Sequence, residues 1–145
     1  MPQHSLHLVC PHCAAVNRLP RARLAAAPSC GGCHRPLFAG KPFDLDASNV
    51  DRHIGRSELP VLVDFWAPWC APCRSMAPAF ATAAAELEPD FRLAKLDTEA
   101  LPEIAGRFAI RSIPTLILFR DGREIARQSG ALDSASIVRW ARNQH

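Results

Sequence analysis

Three pairs of cysteines in this chain are each separated by two residues. The pairs are Cys10 and Cys13, Cys30 and Cys33, and Cys70 and Cys73. Two thiols at this spacing can bind a metal, form a structural disulfide or exchange electrons with another disulfide. The residues around each pair indicate which of these three roles the pair has.

The first two pairs predict a metal site. Sixteen residues, 14–29, lie between Cys13 and Cys30, a spacing typical of four-cysteine zinc sites. Each pair can present two thiolates from a tight turn, and two such turns can surround Zn²⁺ with a tetrahedron of soft ligands. Pro11, Gly31 and Gly32 favour the turns. We therefore predict Zn²⁺ bound by the four N-terminal cysteines.

Two alternatives for these cysteines remain open. The four thiols could form two disulfides, although a reducing cytosol disfavours stable ones. His12 or His34, each next to a cysteine, could also replace one thiolate as a ligand.

Cys70 and Cys73 occur in a different setting. The apolar run "VLVDFW" leads towards them and a helical pattern begins at them. Cys70 is therefore expected at or just before a helix N-terminus, where unpaired backbone N–H groups and the helix dipole lower the pKa of a thiol. Cys73, nearly one turn later, is expected to be more buried. Pro72 suits the first turn because its missing N–H costs nothing there.

The composition is typical of a globular protein. The chain has 145 residues, 48% of them hydrophobic and 21% charged, which is enough for one domain and a small additional unit. The net charge of +3 is mild and no basic block occurs, so we expect no nucleic acid partner. No apolar run approaches the length of a membrane span and no export signal is recognisable, which predicts a cytoplasmic protein without membrane contact.

The chain divides into two segments of different character. Residues 1–38 hold four cysteines but no long apolar periodicity, so they cannot fold on an apolar core alone, and metal binding would supply the folding energy that they lack. We predict a zinc-ribbon-like segment of short strands there. Residues 39–145 alternate short apolar runs with amphipathic stretches, which predicts an α/β domain with a central mixed sheet and helices on both faces.

The expected elements follow from periodicity and turn residues. The helices are expected at 47–55, 73–88, 99–109 and 133–142, and the strands at 43–46, 60–66, 91–97, 114–120 and 123–130. We expect Pro78 to interrupt the second helix. Asp121 and Gly122 predict a tight hairpin turn, and Asp133 or Ser134 should cap the last helix.

Several motifs resemble the thioredoxin family over roughly residues 42–145. They are "VDFWAPWCAPCRSMAP" at 63–78, "IPT" at 113–115, "DG" at 121–122 and "SGA" at 129–131. Together with the four-cysteine segment, the chain is similar to the zinc-containing thioredoxin 2 subfamily. The resemblance implies the thioredoxin fold and a thiol-disulfide oxidoreductase.

The resemblance also implies roles for four residues near the third pair. Cys70 would attack a client disulfide, and Cys73 would resolve the mixed disulfide that results. Asp64 would be a buried acid that takes the proton of the resolving thiol, and Lys95 would lie near that acid.

Substrate contacts are implied in the same way. The residues are Trp69, Ala71, Pro72, Ile113, Pro114 and Gly130, with Pro114 matching a cis-proline that faces the disulfide. Ala71 departs from the family, which usually has glycine there, and we expect it to shift the redox potential and the fit of partners modestly.

The function implied by the resemblance is reduction of protein disulfides with electrons from NADPH. A thioredoxin reductase would bind the NADPH, because this chain has no Gly-rich dinucleotide motif and should bind no nucleotide. Its partners would be that reductase and oxidised client proteins, and we expect a monomer. Two other functions remain open. One is an oxidase or isomerase on the same fold, and the other is a zinc-dependent redox sensor or holdase.

Overall fold

The computed structural model describes residues 5–144. Within that range the chain forms seven β-strands, four α-helices and one short 3₁₀ helix at Arg21–Arg23. The strands are β1 Ser5–Val9, β2 Val16–Pro20, β3 Phe43–Asp44, β4 Val61–Trp66, β5 Arg92–Asp97, β6 Thr115–Arg120 and β7 Arg123–Ser129. The helices are α1 Val50–Arg56, α2 Ala71–Leu87, α3 Pro102–Arg107 and α4 Ser134–Arg142.

Five of the strands form a mixed sheet in the order β3-β5-β4-β6-β7. β4 lies at its centre, parallel to β5 and antiparallel to β6. The helices α2 and α4 cover one face, where Leu62 and Leu116 pack. The helices α1 and α3 cover the other face, where Val63 and Phe65 pack. The predicted mixed sheet with helices on both faces is confirmed.

The strand β4 is buried from Val61 to Phe65 because neighbouring strands flank both edges and helices cover both faces. Side chains alternate between the faces of a strand. Leu62 and Asp64 therefore share the α2 face, whereas Val61 and Val63 share the α1 face. This alternation places an acidic side chain inside the apolar core beneath α2.

The predicted interruption of the second helix is wrong, since α2 continues through Pro78. Pro78 lies on the exposed side of the helix, so the carbonyl that loses its N–H partner can bind water instead. The opposite side buries Met76, Phe80 and Leu87 in the core. Packing of this face stabilises the helix by more than one missing hydrogen bond costs.

The local turn predictions are confirmed. Asp121 and Gly122 have φ values of 53° and 80° between β6 and β7, as a tight hairpin turn requires. Asp133, and not Ser134, caps α4 by accepting the N–H of Ser136 at 2.8 Å. Within residues 5–144 no helix combines the length and hydrophobicity needed to cross a bilayer.

The N-terminal hairpin of β1 and β2 packs where β4 and β5 begin. The carbonyl of His7 accepts the N–H of Glu58, and the N–H of Val9 donates to the Ser57 hydroxyl. The linker that follows the hairpin is held as well, because Gly40 donates its N–H to a Glu88 carboxylate oxygen at 2.8 Å. The N-terminal segment is thus tied to the α/β unit by hydrogen bonds that backbone N–H groups donate to a carbonyl and to two side chains.

Arg92, at the first position of β5, is buried in this junction. Its side chain is 1% exposed and donates to the carbonyls of Leu37 at 2.6 Å and Val9 at 2.9 Å. Its guanidinium also lies 4.8 Å from the ring centre of Phe38. Burial lowers the pKa of Arg92 to about 10, which leaves it protonated at neutral pH.

We expect Arg92→Ala to lower the free energy of unfolding by about 2–4 kcal/mol, because two carbonyls lose their donor and a cavity forms. Urea unfolding measures the change. The matched control is Arg139→Ala on the exposed side of α4, which should change stability by less than about 0.5 kcal/mol. Equal effects of the two variants would contradict the role assigned to Arg92.

Candidate functional site

The third cysteine pair lies where β4 passes into α2. Cys70 is the N-cap of α2, and its sulfur accepts the N–H of Cys73 at 3.2 Å. The two sulfurs are joined in a disulfide with the Cα atoms 5.2 Å apart. Both residues are buried, with Cys70 4% and Cys73 1% exposed. The expected position of Cys70 at the helix start is confirmed, while the difference in burial is small.

A second loop closes over this disulfide. The Ile113–Pro114 peptide bond is cis, and the carbonyl oxygen of Ile113 lies 3.8 Å from the Cys70 sulfur. Gly130, with φ of 97°, donates its N–H to the Pro114 carbonyl at 2.9 Å. The structure therefore brings Ile113, Pro114 and Gly130 together beside the dithiol.

The surface around the dithiol is exposed and apolar. Trp69 is 66% exposed, and Ala71 and Pro72 on the other side of Cys70 are exposed too. An exposed tryptophan next to a reactive group is typical of a surface that binds protein partners.

Asp64 is fully buried on the face of β4 that α2 covers. Within residues 5–144 neither of its carboxylate oxygens has a hydrogen-bond partner. Burial raises the pKa of Asp64 to about 7, and the charge of Lys95 opposes this shift. Lys95 pairs with Asp64 in the register of β4 and β5, so the two side chains share one face of the sheet. A carboxyl group with this pKa can accept or release a proton at neutral pH.

The sequence places Trp66 beside the site but leaves open whether it belongs only to the core. Trp66 packs against Cys70 and Cys73, and the Lys95 ammonium lies 4.4 Å from its ring centre. Its position two residues after Asp64, on the same face of β4, was the available signal. Sequence reasoning missed Arg74. It donates to the Pro68 carbonyl at 2.8 Å and so holds the loop that precedes Cys70.

The four N-terminal cysteines form one compact cluster. Their sulfurs lie within 4.8 Å of one another, with Cys10 to Cys33 and Cys13 to Cys30 each at 3.6 Å. A tetrahedral zinc site with Zn–S bonds of about 2.3 Å has sulfur–sulfur edges of about 3.8 Å, so the donor set fits that metal. In the part of the chain that the structure describes, the cluster includes no histidine and its thiols form no disulfide.

The two cysteine turns have the same backbone geometry. Ala14 and His34, with φ of 62° and 67°, donate their N–H groups to the carbonyls of Cys10 and Cys30. Backbone amides also reach the sulfurs, since His12 donates to Cys10 at 3.3 Å and Gly32 to Cys30 at 3.3 Å. Such donors stabilise thiolates, but at Cys10 burial outweighs them and raises the pKa of the thiol to about 12.

Asn17 on β2 adds a contact that the sequence did not reveal. Its side-chain amide donates to the Cys30 sulfur at 3.4 Å, and its oxygen accepts the N–H of Gly31 at 2.8 Å. The Cys33 backbone N–H and the Asn17 amide together lower the pKa of Cys30 to about 6. Asn17 thus stabilises both a thiolate and the turn that presents it.

Two family models match different parts of the chain. The model described as thioredoxin matches residues 41–143, and the model described as thioredoxin 2, N-terminal, a zinc ribbon, matches residues 9–35. Thioredoxin C-3 of Corynebacterium nephridii is 45% identical over 94% of each chain. The M-type chloroplastic thioredoxin of Chlamydomonas reinhardtii is 39% identical over 81% of this chain and 91% of its own. Thioredoxin 1 of a Nostoc species is 42% identical over 62% of this chain and 84% of its own.

Proposed function

Because this chain belongs to the thioredoxin family and is a thiol-disulfide oxidoreductase, we propose that it reduces disulfides in client proteins through Cys70 and Cys73. The observation that carries the proposal is the disulfide between these two residues at the N-terminus of α2. Only at this end of a helix do unpaired N–H groups point towards the sulfur and stabilise the thiolate form. The pair is thus built to be oxidised and reduced repeatedly.

Reduction of a client proceeds in two exchanges. The Cys70 thiolate attacks a client disulfide, forms a mixed disulfide and releases one client thiolate. Cys73, as a thiolate, then attacks the Cys70 sulfur, closes the intramolecular disulfide and releases the second client thiolate. Two electrons pass to the client, and the short separation of the two cysteines makes the second exchange fast.

Asp64 is proposed as the acceptor of the Cys73 proton. Its carboxyl lies in the core beneath α2, and its pKa of about 7 suits proton transfer at neutral pH. Lys95, its neighbour on β5, favours the charged carboxylate and so limits the rise in the pKa of Asp64. The proton would leave Cys73 as that thiol begins its attack.

The client would lie across the apolar surface formed by the residues around the dithiol. These are Trp69, Ala71, Pro72, Ile113, Pro114 and Gly130. The Ile113 carbonyl, 3.8 Å from the Cys70 sulfur, lies where the backbone of an extended client segment would pass during the mixed disulfide. Trp69 would cover apolar side chains of that segment.

We expect electrons to enter from NADPH through a thioredoxin reductase. The purified protein with that reductase, NADPH and oxidised insulin should oxidise about one NADPH per disulfide reduced, because each NADPH supplies the two electrons that one disulfide needs. Consumption should depend on all four components. Absorbance at the NADPH band measures it, and the control without this protein sets the background. Reduction by dithiothreitol but not by the reductase system would contradict this electron source.

The N-terminal segment, residues 1–38, is proposed as a zinc ribbon attached to a thioredoxin domain at residues 39–145. Cys10, Cys13, Cys30 and Cys33 would hold Zn²⁺, which would supply folding energy to a segment with a small core. The chain's own contribution is to hold four thiolates at tetrahedral spacing and to direct backbone amides at their sulfurs. We further propose a monomer that functions in the cytoplasm, where these thiols stay reduced.

Metal analysis should give about one Zn²⁺ per chain. Cys30→Ala with Cys33→Ala should remove it, because two thiolates cannot complete the tetrahedron. Mass spectrometry under native conditions and elemental analysis provide the measurements. Cys70→Ser with Cys73→Ser is the matched control and should retain the metal. Zinc retained after loss of Cys30 and Cys33 would exclude this ligand set.

A further inference from the structure

Positive charge is concentrated at the N-terminal end of the chain. Residues 1–41 contain five of the 17 Lys and Arg residues and none of the 14 Asp and Glu residues. The five are Arg18, Arg21, Arg23, Arg35 and Lys41, and all of them are exposed. Among residues 5–144 none of the five forms an ion pair with a carboxylate. A tetrathiolate zinc centre, with a formal charge of about −2, would still leave this segment cationic.

Two of these arginines border a cleft in the ribbon. The cleft has a volume of about 260 Å³, with Arg18, Arg23 and Ser29 around it and Leu19 and Leu37 at its base. Arg18 has one weak contact, to the Ser5 hydroxyl at 3.3 Å. In the described range the Arg23 guanidinium and the Ser29 hydroxyl have no protein hydrogen-bond partner. Three donors around one cleft are therefore available to a ligand.

The base of the cleft is packed into the core of the ribbon. Leu19 and Leu37 belong to the small ribbon core that also contains Cys10 and Cys30. Leu37 is fixed further by Arg92, which donates to its carbonyl at 2.6 Å. A cleft attached in this way to the cysteine cluster and to β5 has a preformed base before a ligand binds.

We propose that this cleft binds an acidic segment of a partner protein, with Arg18 and Arg23 binding its carboxylates. Guanidinium groups match carboxylates in shape and charge, and the apolar base accommodates a neighbouring aliphatic side chain. The inference rests on the proposed function in so far as proteins are the clients of this chain.

Nucleic acid fits the same surface less well. Proteins that bind single strands stack bases on aromatic side chains. Phe38 is the only Phe, Tyr or Trp residue in 1–41, and it packs against the Arg92 guanidinium. The segment thus offers bases no unoccupied Phe, Tyr or Trp ring, whereas an acidic peptide requires none.

The cleft and the dithiol can be occupied together. The ribbon packs where β4 begins, and Cys70 follows the end of that strand. Six residues of strand span about 20 Å, so the ribbon does not cover the redox site. A client bound by its acidic segment would present its disulfide at a raised local concentration, which lowers KM without changing kcat.

The test measures binding of a fluorescein-labelled hexaglutamate peptide to the zinc-loaded full chain by anisotropy. Arg18→Gln with Arg23→Gln should weaken binding roughly tenfold, since two charge-assisted contacts are lost. Arg139→Gln with Arg142→Gln removes the same charge from exposed positions on α4 and should leave the affinity within about twofold. Arg18→Lys with Arg23→Lys should retain part of the affinity.

Equal losses in the two Gln pairs, or no binding to the parent protein, would overturn the proposal. So would tighter binding of a ten-residue oligothymidine that is lost only in the Arg18 and Arg23 variant. Cys70→Ser should bind the peptide as well as the parent does, because this measurement needs no redox chemistry. Failure of disulfide reduction with intact peptide binding would therefore contradict the proposed function and leave this inference standing.

Discussion

Replacement of Cys70 by serine should abolish disulfide reduction, with a fall in rate of at least about 10³-fold. Serine has no accessible anion at neutral pH and forms no mixed disulfide, so the first exchange cannot begin. The dithiothreitol-driven reduction of insulin, followed by turbidity, measures this rate. Ser75→Ala, an exposed change on the same helix, is the control and should retain the parent rate.

Cys73→Ser should give a different result from Cys70→Ser. The first exchange should proceed, but the proposed resolving thiol is absent, so clients should accumulate as mixed disulfides on Cys70. Gel electrophoresis without reductant should show adducts that dithiothreitol removes. Adducts that form equally on the Cys70→Ser variant would contradict the assignment of Cys70 as the attacking residue.

Asp64→Asn should raise the free energy of unfolding and lower the rate of disulfide reduction. The folded pKa of Asp64, about 7, exceeds its unfolded value of 3.8. The folded state therefore binds this proton more tightly than the unfolded state does. The contribution of the neutral carboxyl to the free energy of unfolding is complete below pH 3.8 and is lost as the pH rises to 7. Asparagine stays neutral, so its advantage should grow across this range and reach about 2–4 kcal/mol at pH 8.

Urea unfolding of the oxidised protein and of the Asp64→Asn variant at pH 5, 6, 7 and 8 tests this dependence of stability on pH. Asp90→Asn, an exposed change, is the control and should show no such trend. An advantage of Asp64→Asn that is the same at pH 5 and pH 8 would contradict the raised pKa.

The effect of Asp64→Asn on rate follows from the loss of the proposed proton acceptor. Without it, Cys73 must lose its proton to water, and reduction at pH 7 should slow roughly tenfold to a hundredfold. The rate should recover in part at higher pH, where the thiol ionises by itself. An unchanged rate at pH 7 would exclude Asp64 as the acceptor, whatever its effect on stability.

Arg92 and Trp66 show where sequence reasoning stops. Arg92 follows Phe91 at the start of a strand, which is equally consistent with a surface position. Its burial depends on the docking of the ribbon, whose carbonyls at Val9 and Leu37 accept its hydrogen bonds. Trp66 is consistent in the sequence with a core position or with a flank of the site, and its packing against Cys70 and Cys73 decides between the two.

The sequence by itself determined the features that depend on near neighbours. These are the two cysteine turns, the helix that begins after Cys70, the Asp121–Gly122 turn and a cap at Asp133 or Ser134. Each is specified within a few residues by backbone preference and local hydrogen bonding. The same local rule failed at Pro78, because packing of the whole α2 face outweighs one lost hydrogen bond.

Only the tertiary structure decided how distant residues meet. It joined residues 10–13 and 30–33 into one sulfur cluster, placed Ile113 beside Cys70 and set Asp64 opposite Lys95. These contacts depend on strand register, helix packing and the docking of the ribbon, which are collective properties of the chain. The sequence shows that residues 1–41 carry positive charge and no acidic residue, but the cleft between Arg18 and Arg23 exists only once the ribbon has folded.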